Sequence, residues 1–413
     1  MHTLSQLTSG ELAGIKRLSL SDNLTTFPLE ILSLADSLEI LDLSGNQLSS
    51  LPAEIKQLTK LKIIFASDNL FEALPEVLGE CPELEMIGFK ANHIRYVSEN
   101  ALPPKLRWLI LTDNQLETLP DAVGQRPRMQ KLALAGNQLT SLPHTMGELE
   151  NLELLRISAN QLRECPDHLL SLPKLAWFAF AGNPFCQSDA NVESVPHVPS
   201  SSFERQEVLG QGASGVISKA VWNANQGDFP NDIAVKVFKG EVTSDGYPQD
   251  ELNACLKVGN HPSLVQSIAQ VSEPGFLALV MNLIPSHFKN LGLPPNFETC
   301  TRDTFPQGFT LSIAQIEKIV AQMEDVFQHM HDSQVCHGDL YAHNTLFDDE
   351  ANIIFGDFGA ASMYHMLPEA QQAQIKQIEH RALKHFIDDL LSVCSDKDKQ
   401  TDAFRRLAIN ATP

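Results

Sequence analysis

Val335-Cys336-His337-Gly338-Asp339-Leu340-Tyr341-Ala342-His343-Asn344 is followed, after two short apolar runs, by Asp357-Phe358-Gly359. The runs Thr345-Leu346-Phe347 and Ile353-Ile354-Phe355 flank the polar Asp348-Asp349-Glu350-Ala351-Asn352, so the segment reads as a β-hairpin. Such a hairpin holds Asp339, Asn344 and Asp357 over one point. Asp339 is suited to accept a proton from a hydroxyl, while Asn344 and Asp357 are suited to ligate a divalent cation. Phosphoryl transfer calls for this set, because its barrier falls mainly by positioning and by neutralising phosphate charge with metal.

Outward from this stretch, the N-terminal flank supplies the other half of such a site. Leu209-Gly210-Gln211-Gly212-Ala213-Ser214-Gly215-Val216-Ile217 is a glycine-rich turn whose backbone can lie close to phosphates. Ile233-Ala234-Val235-Lys236-Val237-Phe238 follows, a strand that sets one lysine among apolar neighbours. Residues 250 to 258 have helical spacing, and Leu277 to Ile284 read as another buried strand. Ile313, Ile316, Ile319, Val320, Met323, Val326, Phe327 and Met330 keep the helical period, giving a buried helix just before the opening stretch.

These residues resemble the protein kinase catalytic domain. The glycine turn fits G-x-G-x-x-G-x-V with Ile217 in the Val place; Ile233 to Lys236 is similar to V-A-I-K; residues 337 to 344 fit H-x-D-L-x-x-x-N, and D-F-G follows. The resemblance covers residues 203 to 391 and implies an α+β bilobal domain that transfers the γ-phosphate of ATP to Ser/Thr hydroxyls with Mg²⁺ or Mn²⁺. On that resemblance Asp339 is the base, Lys236 anchors the α- and β-phosphates, and Glu251 pairs with Lys236. Asn344 and Asp357 hold the metal. Leu209, Gly210, Gln211, Gly212, Ala213, Ser214, Gly215, Ile217, Ala234, Lys236, Met281 and Leu283 contact the nucleotide, with Met281 as gatekeeper. His331 and His337 fall where kinase histidines hold the backbone. A surface lysine on an edge strand is the alternative for Lys236, and the apolar neighbours on both sides of it argue against that.

The sequence also departs from the family. Gly338 stands where an Arg binds a phosphorylated activation loop, and Tyr341 where a Lys neutralises the transferred phosphate. No A-P-E follows Gly359, only Pro368-Glu369, so the C-terminal lobe is expected to be short. Residues 285 to 309, with Pro294-Pro295, Cys300 and Arg302-Asp303, do not fit the pattern and read as a surface loop. His-Gly-Asp-Leu with a later Asn is also similar to aminoglycoside and choline phosphotransferases. A scaffold without catalysis, acting through its repeats, is a third reading.

Residues 1 to 185 repeat. Asn23, Asn46, Asn69, Asn92, Asn114, Asn137, Asn160 and Asn183 recur at steps of 23, 23, 23, 22, 23, 23 and 23. Apolar residues precede each Asn at −8, −5 and −3, as Leu38, Leu41 and Leu43 do, and Leu-Pro follows most of them. This is similar to the leucine-rich repeat, an α/β solenoid with one short strand per turn and a cap over residues 1 to 12. Positions −6 and −4 alternate to the concave face. Position −6 reads Arg17, Ile40, Ile63, Met86, Trp108, Lys131, Leu154 and Trp177, and −4 adds Phe65 and Ile110. The apolar members make a row expected to dock a protein partner or substrate, the alternative being that the kinase-like domain folds back and covers it. Residues 186 to 202 read as a linker and 203 to 413 as the kinase-like domain.

Seven scattered Cys without C-x-x-C spacing argue for a reducing, cytoplasmic setting and against structural zinc. A net charge of −21 disfavours a nucleic-acid partner. No apolar run reaches the ~20 residues of a membrane span, and the first residues lack the pattern of a signal peptide.

Overall fold

The computed structural model of the chain describes residues 1–187, 195–212, 214–224 and 229–411. Ala213 and the linker stretch 188–194 therefore lie outside the described residues. The chain divides into two compact units, Met1–Leu175 with Asn183–Phe185, and Ala176–Gly182 with Cys186–Pro413. The sequence boundary at 185 thus differs from the fold in one segment, since Ala176–Gly182 groups with the second unit.

The repeats give short strands β1 (Arg17–Ser19), β2 (Ile40–Asp42), β3 (Ile63–Phe65), β4 (Met86–Gly88), β5 (Trp108–Ile110), β6 (Lys131–Ala133), β7 (Leu154–Arg156) and β8 (Trp177–Ala179), ordered as in the sequence. Within the first unit each pairs in parallel with the next, one repeat apart: Leu41 with Ile64, Ile64 with Ile87. Helix α1 (Leu4–Thr8) opens the chain with a Thr3–Gln6 capping box, and α2 (Asp167–Leu170) is the one α-helical turn among the described repeats. Elsewhere Pro52, Pro75, Pro120 and Pro143 start 3₁₀ turns, their fixed φ favouring the entry.

The near-constant spacing of Asn along the chain has a structural cause. Asn137 Oδ1 accepts from Leu116 N, while its Nδ2 donates to the Leu111 and Leu134 carbonyls at 2.9 and 3.0 Å. Asn69, Asn92, Asn114 and Asn160 repeat that pattern, tying three chain segments at each step. A turn this tight has no backbone partners for these groups, so a buried amide supplies them.

The expected apolar row exposes little of its side chains to solvent. Ile63, Met86, Trp108 and Leu154 are only 2–7% exposed, and Ile40, Phe65 and Ile110 are half-buried. Strand spacing lets such side chains pack along the row: a Cβ on Gly88 would lie 2.5 Å from the Phe65 ring, and Lys131 Nζ sits 4.8 Å from the Trp108 ring centre. Trp177 is 1% exposed and belongs to the second unit, so it offers no open face to a partner.

The second unit begins with an antiparallel sheet of β9 (Phe203–Gln211), β10 (Gly215–Trp222), β11 (Asp232–Phe238), β12 (Ser267–Glu273) and β13 (Phe276–Asn282), in the order β12-β13-β11-β10-β9. Phe203, Ala220, Ile233, Val235, Ile268, Ala269, Val271, Ala278 and Val280 form its core. Helix α3 (Pro248–Val258) starts on a proline, which suits a first turn, and ends at Gly259.

Strand β14 (Lys289–Asn290) pairs with the later hairpin, and α4 (Ile313–Asp332) is fixed by a Ser312–Gln315 capping box and buries the apolar stripe read from the sequence. Strand β15 (Val335–Cys336) precedes the expected hairpin of β16 (Thr345–Phe347) and β17 (Ile353–Phe355); β18 (Ser362–Met363) pairs with β15. Two helices, α5 (Glu369–Ser392) and α6 (Asp402–Ala411), complete the lobe. No helix among the described residues is long and apolar enough to cross a membrane.

Two stability measurements follow. Asn137→Ala removes partners from three buried backbone groups and is expected to cost about 3 kcal/mol in urea unfolding. The exposed neighbour Gln138→Ala is expected to change it by less than about 0.5 kcal/mol. Asp250, on α3, has a buried Oδ2 with no hydrogen-bond partner, and burial pushes its pKa up to about 6. An acid raised in the folded state costs stability above that pKa, and the cost vanishes as pH falls below the unfolded value near 4. Asp250→Asn should stabilise the chain by on the order of 2 kcal/mol above about pH 7, with the gain fading by about pH 4 in thermal melts across pH.

Candidate functional site

Lys236 lies on β11, which is interior: Ile217 of β10 faces it on one side and Leu279 of β13 on the other. The edge-strand reading is therefore excluded. Its Nζ donates to Glu251 of α3, and Asp357 Oδ1 lies 4.0 Å away. Burial alone would lower the lysine pKa, but Glu251 and Asp357 outweigh it and hold Lys236 charged, above its ordinary value. Asp357 adopts φ +59°, a left-handed step that ends the extended run of β17.

The nucleotide-side residues share this sheet. Ile217 pairs with both Gly210 and Lys236, and Ala234 pairs with Met281. Ala234 and Met281 are 5% and 7% exposed, Leu209 is 49% exposed, and Leu283 is half-buried. A Cβ added at Gly210 or Gly212 would meet nothing within 4 Å, so the backbone there is open to a phosphate. At Gly215 it would strike the Val237 carbonyl at 2.5 Å, a close approach that only glycine permits.

Asp339 and Asn344 form the second cluster. Asn344 Nδ2 donates to Asp339 Oδ2 at 2.8 Å and to the Asp339 carbonyl at 3.1 Å. His337 ties this cluster to the first: Asp339 N donates to its Nδ1 at 3.3 Å, and its Nε2–H donates to the Gly356 carbonyl at 3.0 Å. Those partners assign the neutral tautomer, and burial pushes the imidazole pKa down. The loop backbone is held from behind by Glu379, whose Oε1 accepts from His337 N and Gly338 N at 2.8 and 2.9 Å, with His331 on its other oxygen at 3.2 Å.

Sequence reasoning missed several of these groups. Glu379 left a signal: it falls on the apolar face of α5 with Ile375, Ile378, Ala382 and Leu383, where a charge must find partners. Asp303 left none. Expected in a surface loop, it is 8% exposed; it accepts from Ala342 N and meets His343 Nδ1 at 2.6 Å. Its neighbour Arg302 reaches Asp388 and Asp389 at 2.6 and 2.5 Å. The unmatched insertion therefore supports the stretch that carries Asp339 and Asn344.

The donor set fits a hard divalent cation. Asn344 and Asp357 offer amide and carboxylate oxygens, and no group of three His, Cys, Asp or Glu among the described residues makes a metal cage by itself. Two protein oxygens completed by phosphates is the usual Mg²⁺ arrangement.

Residues 203–382 match the protein kinase domain, and residues 37–58 and 104–185 match leucine-rich repeats. A probable serine/threonine-protein kinase of Dictyostelium discoideum is 25% identical over 171 residues, 41% of this chain and 11% of that protein. Cell division control protein 2 homolog 3 of Trypanosoma brucei brucei is 22% identical over 182 residues, 44% of this chain and 53% of that one. PH domain leucine-rich repeat-containing protein phosphatase 1 of Homo sapiens is 36% identical over 95 residues, 22% of this chain and 5% of that one. The chain thus spans at most about half the length of these relatives. One polypeptide joins leucine-rich repeats to a protein kinase domain.

Proposed function

We propose that the second unit is an ATP- and Mg²⁺-dependent protein kinase acting on Ser/Thr hydroxyls in the cytoplasm, with the repeats recruiting a protein partner or substrate. The observation that carries the reading is the charged Lys236 held between Glu251 and Asp357 inside the sheet. Lys236 would steady the α- and β-phosphates, fixed in place by Glu251. The glycine turn, open above Gly210 and Gly212, would let backbone N–H groups approach those phosphates. Asn344 and Asp357 would hold Mg²⁺, which when bound neutralises charge on the transferred group. Asp339, oriented by Asn344, would align the acceptor hydroxyl and take its proton.

Tyr341 favours a second reading. It is 5% exposed and stacked on Trp177, so it cannot do the work of a phosphate-neutralising lysine. A scaffold that binds nucleotide without turnover would show that pattern.

The two are separated by phosphate transfer from labelled ATP to the chain itself and to a generic protein substrate. Asp339→Asn is expected to lower kcat by roughly 10²–10⁴-fold while nucleotide affinity holds. Lys236→Met should weaken both. Nucleotide and Mg²⁺ binding with no turnover by the wild type would favour the scaffold. Transfer to amino-sugars or choline but not to protein would move the assignment to the small-molecule phosphotransferases.

A further inference from the structure

The segment Ala176–Gly182 is spelled like a repeat strand but lies in the second unit, against the stretch that holds Asp339. Trp177 Nε1–H donates to the Leu340 carbonyl at 3.0 Å. Its ring stacks on Tyr341 with centroids 5.0 Å apart and planes 3° from parallel, and His385 stacks on it at 5.2 Å and 15°. A Cβ on Gly338 would lie 2.7 Å from the Phe178 carbonyl and 2.9 Å from the Ala360 carbonyl, so this backbone approach requires glycine. Beyond D-F-G, Phe180 N and Ala181 N both donate to Ser362 Oγ at 3.0 Å. Trp177 and Ser362 are 1% and 0% exposed.

We propose that Ala176–Gly182 is a brace for the catalytic loop, with Trp177 as a positioning residue for the phosphoryl transfer inferred above, on which this inference rests. Leu340 and Tyr341 are held from this segment and Gly338 packs close to it, with Asp339 between them. The two departures from the kinase pattern then have one cause. Gly338 gives up a side chain because Phe178 occupies its space, and Tyr341 exchanges a cation for a stacking surface. The brace also grips the residues after D-F-G, so one short segment fixes both sides of the site. Trp177 acts through the loop, by its hydrogen bond to the Leu340 carbonyl and its stack on Tyr341.

The test uses the full chain with Trp177→Ala, Trp177→Phe and, as a control on the repeats, Trp108→Phe. Two readouts are taken: phosphate transfer as a function of ATP concentration, and amide hydrogen exchange over residues 336–344. For Trp177→Ala we expect kcat to fall roughly 30-fold with the KM for ATP within about twofold, and exchange to quicken about tenfold at Leu340 to Asn344. Trp177→Phe keeps a stacking ring and loses the N–H, so it should recover part of both; Trp108→Phe should change neither. Unchanged exchange and kcat in Trp177→Ala would overturn the brace. A rise in kcat would overturn it too, since the contact would then be blocking the site. If the wild type transfers no phosphate, the kinase reading falls and the exchange readout alone decides the brace.

Discussion

A single ammonium taken out of water organises the kinase-domain half of this chain. Lys236 sits inside a five-stranded sheet, where an isolated positive charge would cost several kcal/mol. Its charge survives because α3 delivers Glu251 from one side and the turn after β17 delivers Asp357 from another. Three elements far apart in sequence are thereby tied to one atom. If any of them shifts, a buried charge loses a partner, so their relative positions are set by electrostatics as much as by packing.

A second buried charge does for the loop what Lys236 does for the sheet. Glu379 is nearly inaccessible and spends its oxygens on the backbone of His337 and Gly338 and on the ring of His331. His337 then spans from Asp339 N to the Gly356 carbonyl, so the stretch carrying Asp339 and the one carrying Asp357 share a ring. The geometry of the candidate site is thus inherited from α5 and from one neutral imidazole. In the repeats the same logic runs through amides, each buried Asn closing backbone groups that a tight turn leaves open.

What the sequence made legible were features with a local period. The Asn steps located the strands, and alternation of apolar and polar runs located the hairpin; the pairing of Lys236 with Glu251 came only from the resemblance to protein kinases. What it hid were contacts decided by where distant segments meet. Trp177 occupies the same repeat position as Ile63 or Met86, and periodicity says which way such a residue points, never what it will touch. Its partner carbonyl is at Leu340. Asp303 lies in a stretch with no recognisable pattern, and only the fold reveals that it holds Ala342 and His343. The apolar row on the solenoid was legible in direction, but its side chains pack along one another to a degree that spacing does not encode.

The second compact unit is discontinuous along the chain, made of residues 176–182 and the portion from 186 onward, with 183–185 counted elsewhere. The seam between modules is therefore not where the Pro- and Ser-rich stretch invites a cut. A recombinant fragment begun at the linker would leave behind the indole that covers Leu340 and the amides that occupy Ser362. Shuffling of such modules, whether in the laboratory or over evolutionary time, has to carry the eighth strand along with the kinase domain.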